Sequence, residues 1–226
     1  MKKLLRGVEK FQSEVYCAKK DLFDALSQEG QHPRVLFIAC SDSRVDPTML
    51  TQSGPGELFV LRNAGNIIPP FTGNTCGEAA TIEYAVNILQ VEHIIICGHS
   101  RCGAIMHLVD HHDHPYDDHL PMVSKWLRYA DATRTITEAH WSEYSDANRY
   151  DFAIETNIRV QLNNLCTHPS IAQALSCKKL QLHGWVYHVE SGELHLFDRQ
   201  REAFTIHHTA PQDIKRNMRT NEAKRA

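Results

Sequence analysis

The apolar positions of the chain follow two rhythms. In the first 29 residues Leu4, Leu5, Val8, Phe11 and Val15 recur at helical spacing, followed by Leu22, Phe23 and Leu26. Gly30 and Pro33 end that stretch, so residues 1–29 read as an N-terminal helical arm. From residue 34 the rhythm changes. Arg34-Val35-Leu36-Phe37-Ile38-Ala39-Cys40 is short and almost continuously apolar, the mark of a strand buried on both sides. Leu58-Phe59-Val60-Leu61, after the turn signal Gly54-Pro55-Gly56, and His93-Ile94-Ile95-Ile96-Cys97 are two more such runs. Between them a capping box from Thr75 to Glu78 predicts a helix reaching about Gln90. Another helix is expected to start near Cys102, and helical patterns resume around 121–135 and 149–166.

Leu180 to Val189 reads as a fourth strand. Ser191-Gly192 turns the chain into Glu193 to Asp198, which makes an antiparallel hairpin. Strand, crossover helix, strand is the pattern of a parallel sheet covered by helices. The expected class is therefore α/β, with a mostly parallel central sheet of four strands plus an antiparallel fifth and helices on both faces. The arm spans 1–29, the domain 30–198, and residues 199–226 read as a polar, mildly basic tail that frays.

Composition narrows the function without naming it. The 226 residues suffice for one domain with its own core, and 42% hydrophobic content is ordinary for a globular chain. A formal charge of -3 gives no reason to expect a nucleic acid or an anionic membrane as partner. No apolar run approaches a membrane span of roughly 20 residues. Arg6, Glu9 and Lys10 interrupt the N-terminal apolar run before it reaches signal-peptide length. The seven cysteines, an odd number, then suggest a reducing compartment and a cytoplasmic location.

Two segments concentrate side chains able to bind metal, Cys40-Ser41-Asp42-Ser43-Arg44 and His99-Ser100-Arg101-Cys102. Each follows a predicted strand, so each lies at the carboxyl edge of the sheet, where open α/β sheets bind ligands. Two thiolates and one imidazole would give zinc three protein ligands and leave a fourth position open, as in a catalytic rather than a structural site. Zinc with two thiolates is formally neutral. It acidifies water less than a three-histidine site does, so activity should rise toward alkaline pH. A helix starting near Cys102 would favour its thiolate. Arg44 is placed to grip Asp42 through two parallel hydrogen bonds and keep it ionised. On spacing alone, a metal site and three separate packing residues are equal readings. Cys17, Cys76, Cys97, Cys166 and Cys177 read as packing thiols. His107, His111, His112, His114 and His119, interspersed with Asp110, Asp113, Asp117 and Asp118, read as a solvated loop.

Longer motifs change this balance. Ala39-Cys40-Ser41-Asp42-Ser43-Arg44-Val45 and Cys97-Gly98-His99-Ser100-Arg101-Cys102-Gly103 resemble the zinc motifs of β-class carbonic anhydrases. Pro55-Gly56-Glu57-Leu58-Phe59-Val60, Arg62-Asn63-Ala64-Gly65-Asn66, Ile82-Glu83-Tyr84-Ala85-Val86 and His183-Gly184-Trp185-Val186-Tyr187 extend the likeness over about 30–198. Ile68-Pro69-Pro70-Phe71 brings it nearest the cyanobacterial, carboxysome-type branch. The resemblance implies one Zn²⁺ per subunit on Cys40, His99 and Cys102, and Asp42 with Arg44 as the catalytic pair. It implies reversible hydration of carbon dioxide to bicarbonate and a proton through a zinc-bound hydroxide, and a homodimer that often pairs into tetramers. The arm is then expected to pack on a neighbouring subunit. Members that hold aspartate on zinc carry Trp, Gly and Tyr where this chain has Phe37, Ala39 and Tyr187. Only Tyr187 matches, so the open form, with water on zinc, is expected. An inactive zinc-binding relative and a carbon disulfide-type hydrolase on the same scaffold are the alternatives. Nothing in the chain supports docking to a carboxysome shell.

Overall fold

The structure, a computed structural model, describes residues 1–110 and 119–207. Helix α1 (Lys2–Lys10) runs through a π-helical stretch, Phe11–Tyr16, toward α2 (Lys20–Glu29). The body follows as β1 (Val35–Cys40), α3 (Pro47–Thr51), β2 (Leu58–Asn63), α4 (Gly77–Asn87), β3 (His93–His99) and α5 (Gly103–Asp110). Then come α6 (Pro121–Leu127), α7 (Asp131–Ala139), the long α8 (Asp146–Cys166), α9 (Pro169–Ser176), β4 (Gln181–Tyr187), β5 (Leu194–Asp198) and β6 (Ala203–Ile206).

The strands form one sheet in the order β2-β1-β3-β4-β5-β6. The first four neighbours are parallel, and β5 and β6 add on antiparallel. The sheet therefore has six strands, not the five expected. β6 lies in the segment read as a fraying tail. Four residues are too few to show a period, and what holds them is tertiary: Phe204 lies with its ring centroid 5.2 Å from that of Phe197, and the Arg159 guanidinium sits 5.7 Å from both rings. Helix α4 also starts one residue later than the capping box predicted. Cys76, not Thr75, is its N-cap and accepts a hydrogen bond from the Ala79 amide at 3.4 Å. His107 and Asp110 belong to α5, and residues 111–118 of the histidine-rich stretch lie outside the described residues.

Strand alternation splits the core into two layers. Leu36, Ile38, Ile94, Ile96, Leu182 and Val186 face the main helical layer, where Ile82, Ile105, Ile154, Ile158 and Ile171 join them. Phe37, Ala39, Ile95 and Cys97 face the other way, under Leu50 of α3 and the half-buried Trp185 and Tyr187. Helix α8 approaches the sheet closely because glycine leaves room for it. A Cβ on Gly184 would stand 2.6 Å from Ile158 Cγ2, an overlap of the kind that costs about 1–3 kcal/mol.

One face of α8 is polar although buried. Gln161 Oε1 accepts from the Ile68 amide at 2.8 Å, Asn164 Nδ2 donates to the Ile68 carbonyl at 2.8 Å, and Asn157 Nδ2 donates to the Gly65 carbonyl at 3.2 Å. These amides strap residues 65–69, which lack sheet partners, into the interior beside the ends of β1 and β3.

Candidate metal centre

Parallel pairing puts the ends of β1 and β3 side by side. Cys40 closes β1 and His99 closes β3. Cys102 follows one tight turn later, with Arg101 in left-handed conformation (φ 55°), and immediately precedes α5. The ligand atoms of Cys40, His99 and Cys102 all lie within 4.8 Å of one another, and all three residues are buried. The Cys40 and Cys102 sulfurs are 3.9 Å apart.

The imidazole is oriented for coordination. Its Nδ1 lies 3.0 Å from the Ser100 carbonyl, an acceptor, so Nδ1 carries the proton. Nε2 is then an unprotonated lone pair. It is buried with no hydrogen-bond partner. A buried ring nitrogen without a partner, facing two thiols, is the environment a metal ion completes. Two sulfurs and one nitrogen suit zinc and leave one tetrahedral position free.

Charge in the thiol pair is shared. The Cys102 S–H beside it holds Cys40 well below the usual thiol range, with the Gly65 amide adding to the effect. Cys102 moves the opposite way, mainly because Cys40 is its neighbour and then because of burial. The amides of Ile105 and Ala104 do favour the Cys102 thiolate, as a helix start predicts, yet the nearby Cys40 outweighs them. Cys40 is the more acidic thiol of the pair, and a divalent cation beside both sulfurs would favour ionisation of each. Cys97, one strand position from Gly98, shows the contrast. It is fully buried with no charge beside it, and desolvation pushes its thiol up to about 12.

Asp42 and Arg44 stand at the rim. Arg44 Nε donates to Asp42 Oδ1 at 2.9 Å and Nη2 to Oδ2 at 2.8 Å, and the Arg44 amide also donates to Oδ1 at 2.9 Å. Arg44 holds the Asp42 carboxyl far below the ordinary carboxylate range. Asp42 Oδ2 is 3.9 Å from His99 Nε2, so the carboxylate borders the ligand cluster. The Asp42 side chain is 19% exposed and that of Arg44 44%, whereas His99 is wholly buried.

Arg62 had no role in the sequence reading beyond its place in a matching motif. From β2 it donates to the carbonyls of Cys40 (2.9 Å), Asp42 (2.8 Å) and Val45 (2.7 Å), and so fixes the curve of the whole β1 loop. An arginine at the end of a strand beside a metal-ligand loop was the available signal. Gly65 approaches from the other side, its amide 3.4 Å from Cys40 Sγ. It takes φ +78°, and a Cβ there would lie 3.1 Å from Ala104 Cβ, so the position needs glycine on both counts.

Fold and site together define an α/β metalloenzyme with a buried Cys, His, Cys centre at the carboxyl edge of its sheet. The sequence model of the family described as carbonic anhydrase matches residues 35–194. The chain is 46% identical over 194 residues to a carbonic anhydrase of Synechococcus elongatus, covering 86% of this chain and 70% of that one. It is 45% identical over 204 residues to a carbonic anhydrase of Pseudomonas aeruginosa, covering 90% of each. The solved β-carbonic anhydrase CcaA superposes with a TM-score of 0.87 at 43% identity, covering 93% of each chain. The chain belongs to the carbonic anhydrase family, in its β class, whose members are zinc enzymes.

Proposed function

We propose that this protein catalyses the reversible hydration of carbon dioxide to bicarbonate and a proton, with zinc held by Cys40, His99 and Cys102. The observation that carries this reading is the convergence of those three ligand atoms within 4.8 Å, beside an Asp42 already engaged by Arg44. Zinc held by these residues would supply Lewis acidity, lowering the pKa of a water beside it, though less than a three-histidine site does. The chain's own residues do the rest. Cys40 and Cys102 offset the metal charge, and His99 presents Nε2. Arg44 occupies both oxygens of Asp42, which keeps the carboxylate ionised and away from the metal position. Asp42 can then accept a hydrogen bond from the attacking water and aim an oxygen lone pair at the carbon of carbon dioxide. The proton leaves to buffer.

Two features support the open form. The two-point ion pair ties Asp42 to Arg44. Phe37 is fully buried with its ring edge against Trp185, centroids 5.7 Å apart, and has no N–H to offer an anion, while Arg62 is spent on three carbonyls.

We also assign a homodimer, with a tetramer built from such dimers as the alternative assembly, in the cytoplasm. Related fungal β-carbonic anhydrases from Sordaria macrospora are tetrameric. The arm, residues 1–29, exposes Leu4 (68%), Leu5 (56%) and Val8 (50%), a row of apolar side chains suited to a second subunit. No helix among the described residues is long and apolar enough to cross a membrane. Deleting residues 1–25 should weaken assembly in sedimentation; an unchanged dimer would give the arm another purpose.

Stopped-flow hydration of carbon dioxide, with and without a zinc chelator, tests the reaction. Acceleration that chelation abolishes and zinc restores is expected. Zinc-loaded protein without acceleration would instead favour the inactive relative, or the carbon disulfide-type hydrolase if that substrate is turned over.

A further inference from the structure

His99 is oriented by a backbone carbonyl, and that carbonyl belongs to a residue with unusually firm anchorage. Ser100 is 1% exposed, although it lies in a turn between a strand and a helix. Its amide donates to the Tyr187 carbonyl at 2.9 Å, which extends the β3 to β4 ladder one step past its last register pair. Its hydroxyl does two more things. It donates to Glu190 Oε2 at 2.5 Å and accepts from the Val189 amide at 2.9 Å. The Ser100 hydroxyl thus uses its one proton on a carboxylate and a lone pair on a peptide N–H. With amide and hydroxyl both fixed, the direction of the Ser100 carbonyl is fixed too. That carbonyl holds His99 Nδ1 at 3.0 Å and so sets the ring plane and the tautomer.

Glu190 sits outside the centre. It is exposed, lies on the turn between β4 and β5, and reaches inward only through Ser100. The hydrogen bond from Ser100 is the main influence holding its carboxyl below the ordinary range. Its carboxylate meets the buried hydroxyl of the residue whose carbonyl orients a metal ligand.

We propose that Ser100 and Glu190 form a positioning latch that presets the His99 imidazole for metal binding. The latch acts through Ser100 and touches neither metal nor substrate. It joins the β3 turn to the β4–β5 turn, so the geometry of the centre depends on a hairpin that supplies none of its ligands. The proposal rests on His99 being a zinc ligand, and its test separates the two claims.

The test is zinc affinity of the full-length protein by chelator competition, joined to the visible ligand-field bands of the cobalt-substituted protein. Glu190→Ala should bind zinc about 10–100-fold more weakly and shift the cobalt bands. Glu190→Gln keeps an oxygen that accepts from the Ser100 hydroxyl, and should return to within about threefold of the parent. The metal-free melting temperature of Glu190→Gln should match the parent, and that of Glu190→Ala, which strips an acceptor from the buried Ser100 hydroxyl, should fall by only a few degrees, too little to unfold the protein during the zinc measurement. Ser100→Ala should match or exceed the loss in Glu190→Ala. Parent-like affinity and spectra in Glu190→Ala would overturn the latch. Equal losses in Glu190→Ala and Glu190→Gln would overturn it too, because charge and not the hydrogen bond would then be acting. His99→Ala is the reference: parent-like zinc binding there would overturn the ligand assignment and the latch with it, whereas lost binding there with a parent-like Glu190→Ala would overturn the latch alone.

Discussion

The two loops that meet at the centre are built differently. The β1 loop, residues 40–45, is partly open to solvent and held by charge: Arg62 grips three of its carbonyls and Arg44 grips Asp42. The β3 loop, residues 99–102, is almost closed, with His99, Ser100 and Cys102 at 0%, 1% and 1% exposure apart from the exposed Arg101. It is held mainly by hydrogen bonds to backbone, by the single Ser100 to Glu190 contact and by the start of α5. The difference divides the labour. A metal seat gains from rigid, desolvated donors, while groups that meet substrate and shed protons need contact with water. Cys40 is where the two construction styles join.

If this division is right, changes in the two loops should fail in different ways. The largest effect is expected in the closed loop: His99→Ala or Cys102→Ala should lose zinc affinity by about 10²–10³-fold, measured by chelator competition. In the open loop, Asp42→Asn should lower kcat/KM by about 10²-fold or more while zinc content by elemental analysis stays at one per chain. An Asp42→Asn protein that arrives without zinc would erase the distinction. Arg62→Ala leaves three carbonyls to water and should cost about 1–3 kcal/mol in urea denaturation, with turnover falling as the loop loosens.

The smallest effect concerns pH. The Asp42 carboxyl is depressed in the folded protein, so its ion pair adds stability above the unfolded carboxyl value near 4 and loses it as pH falls further. The urea midpoints of parent and Asp42→Asn, both metal-free, should therefore differ at pH 6 and converge as the medium is acidified below pH 4. A gap that persists or widens under acid would mean the pair is not what steadies the loop.

Sequence pattern carried the parallel core because it is strongly written, whereas the trio was an even reading on spacing and rested on the longer motifs around it. The runs at 35–40 and 93–97 have no polar interruption deep enough to suggest anything but buried strands, and each is followed at once by its ligands. What escaped was set by distant contacts. β6 depends on Phe197 and Arg159, far from its own four residues. The buried amides of α8 look like the solvent face of an amphipathic helix until residues 65–69 are seen to need partners. Cys76 caps α4 though Thr75 has the better capping side chain, since the cap is chosen by where the chain leaves the preceding loop. Ser100, Glu190 and Arg62 share this character: each serves the centre through a backbone carbonyl, and carbonyl partners leave no mark in side-chain spacing.

The central claim is that Cys40, His99 and Cys102 hold one zinc ion with a position left for solvent, because Arg44 keeps Asp42 away. A crystal structure of the zinc-loaded protein near pH 8 tests this most directly. The account predicts sulfur, sulfur and Nε2 on the metal, a solvent oxygen as fourth ligand, and Asp42 still paired with Arg44. An Asp42 oxygen on the zinc, or zinc bound elsewhere with these three residues bare, would contradict it.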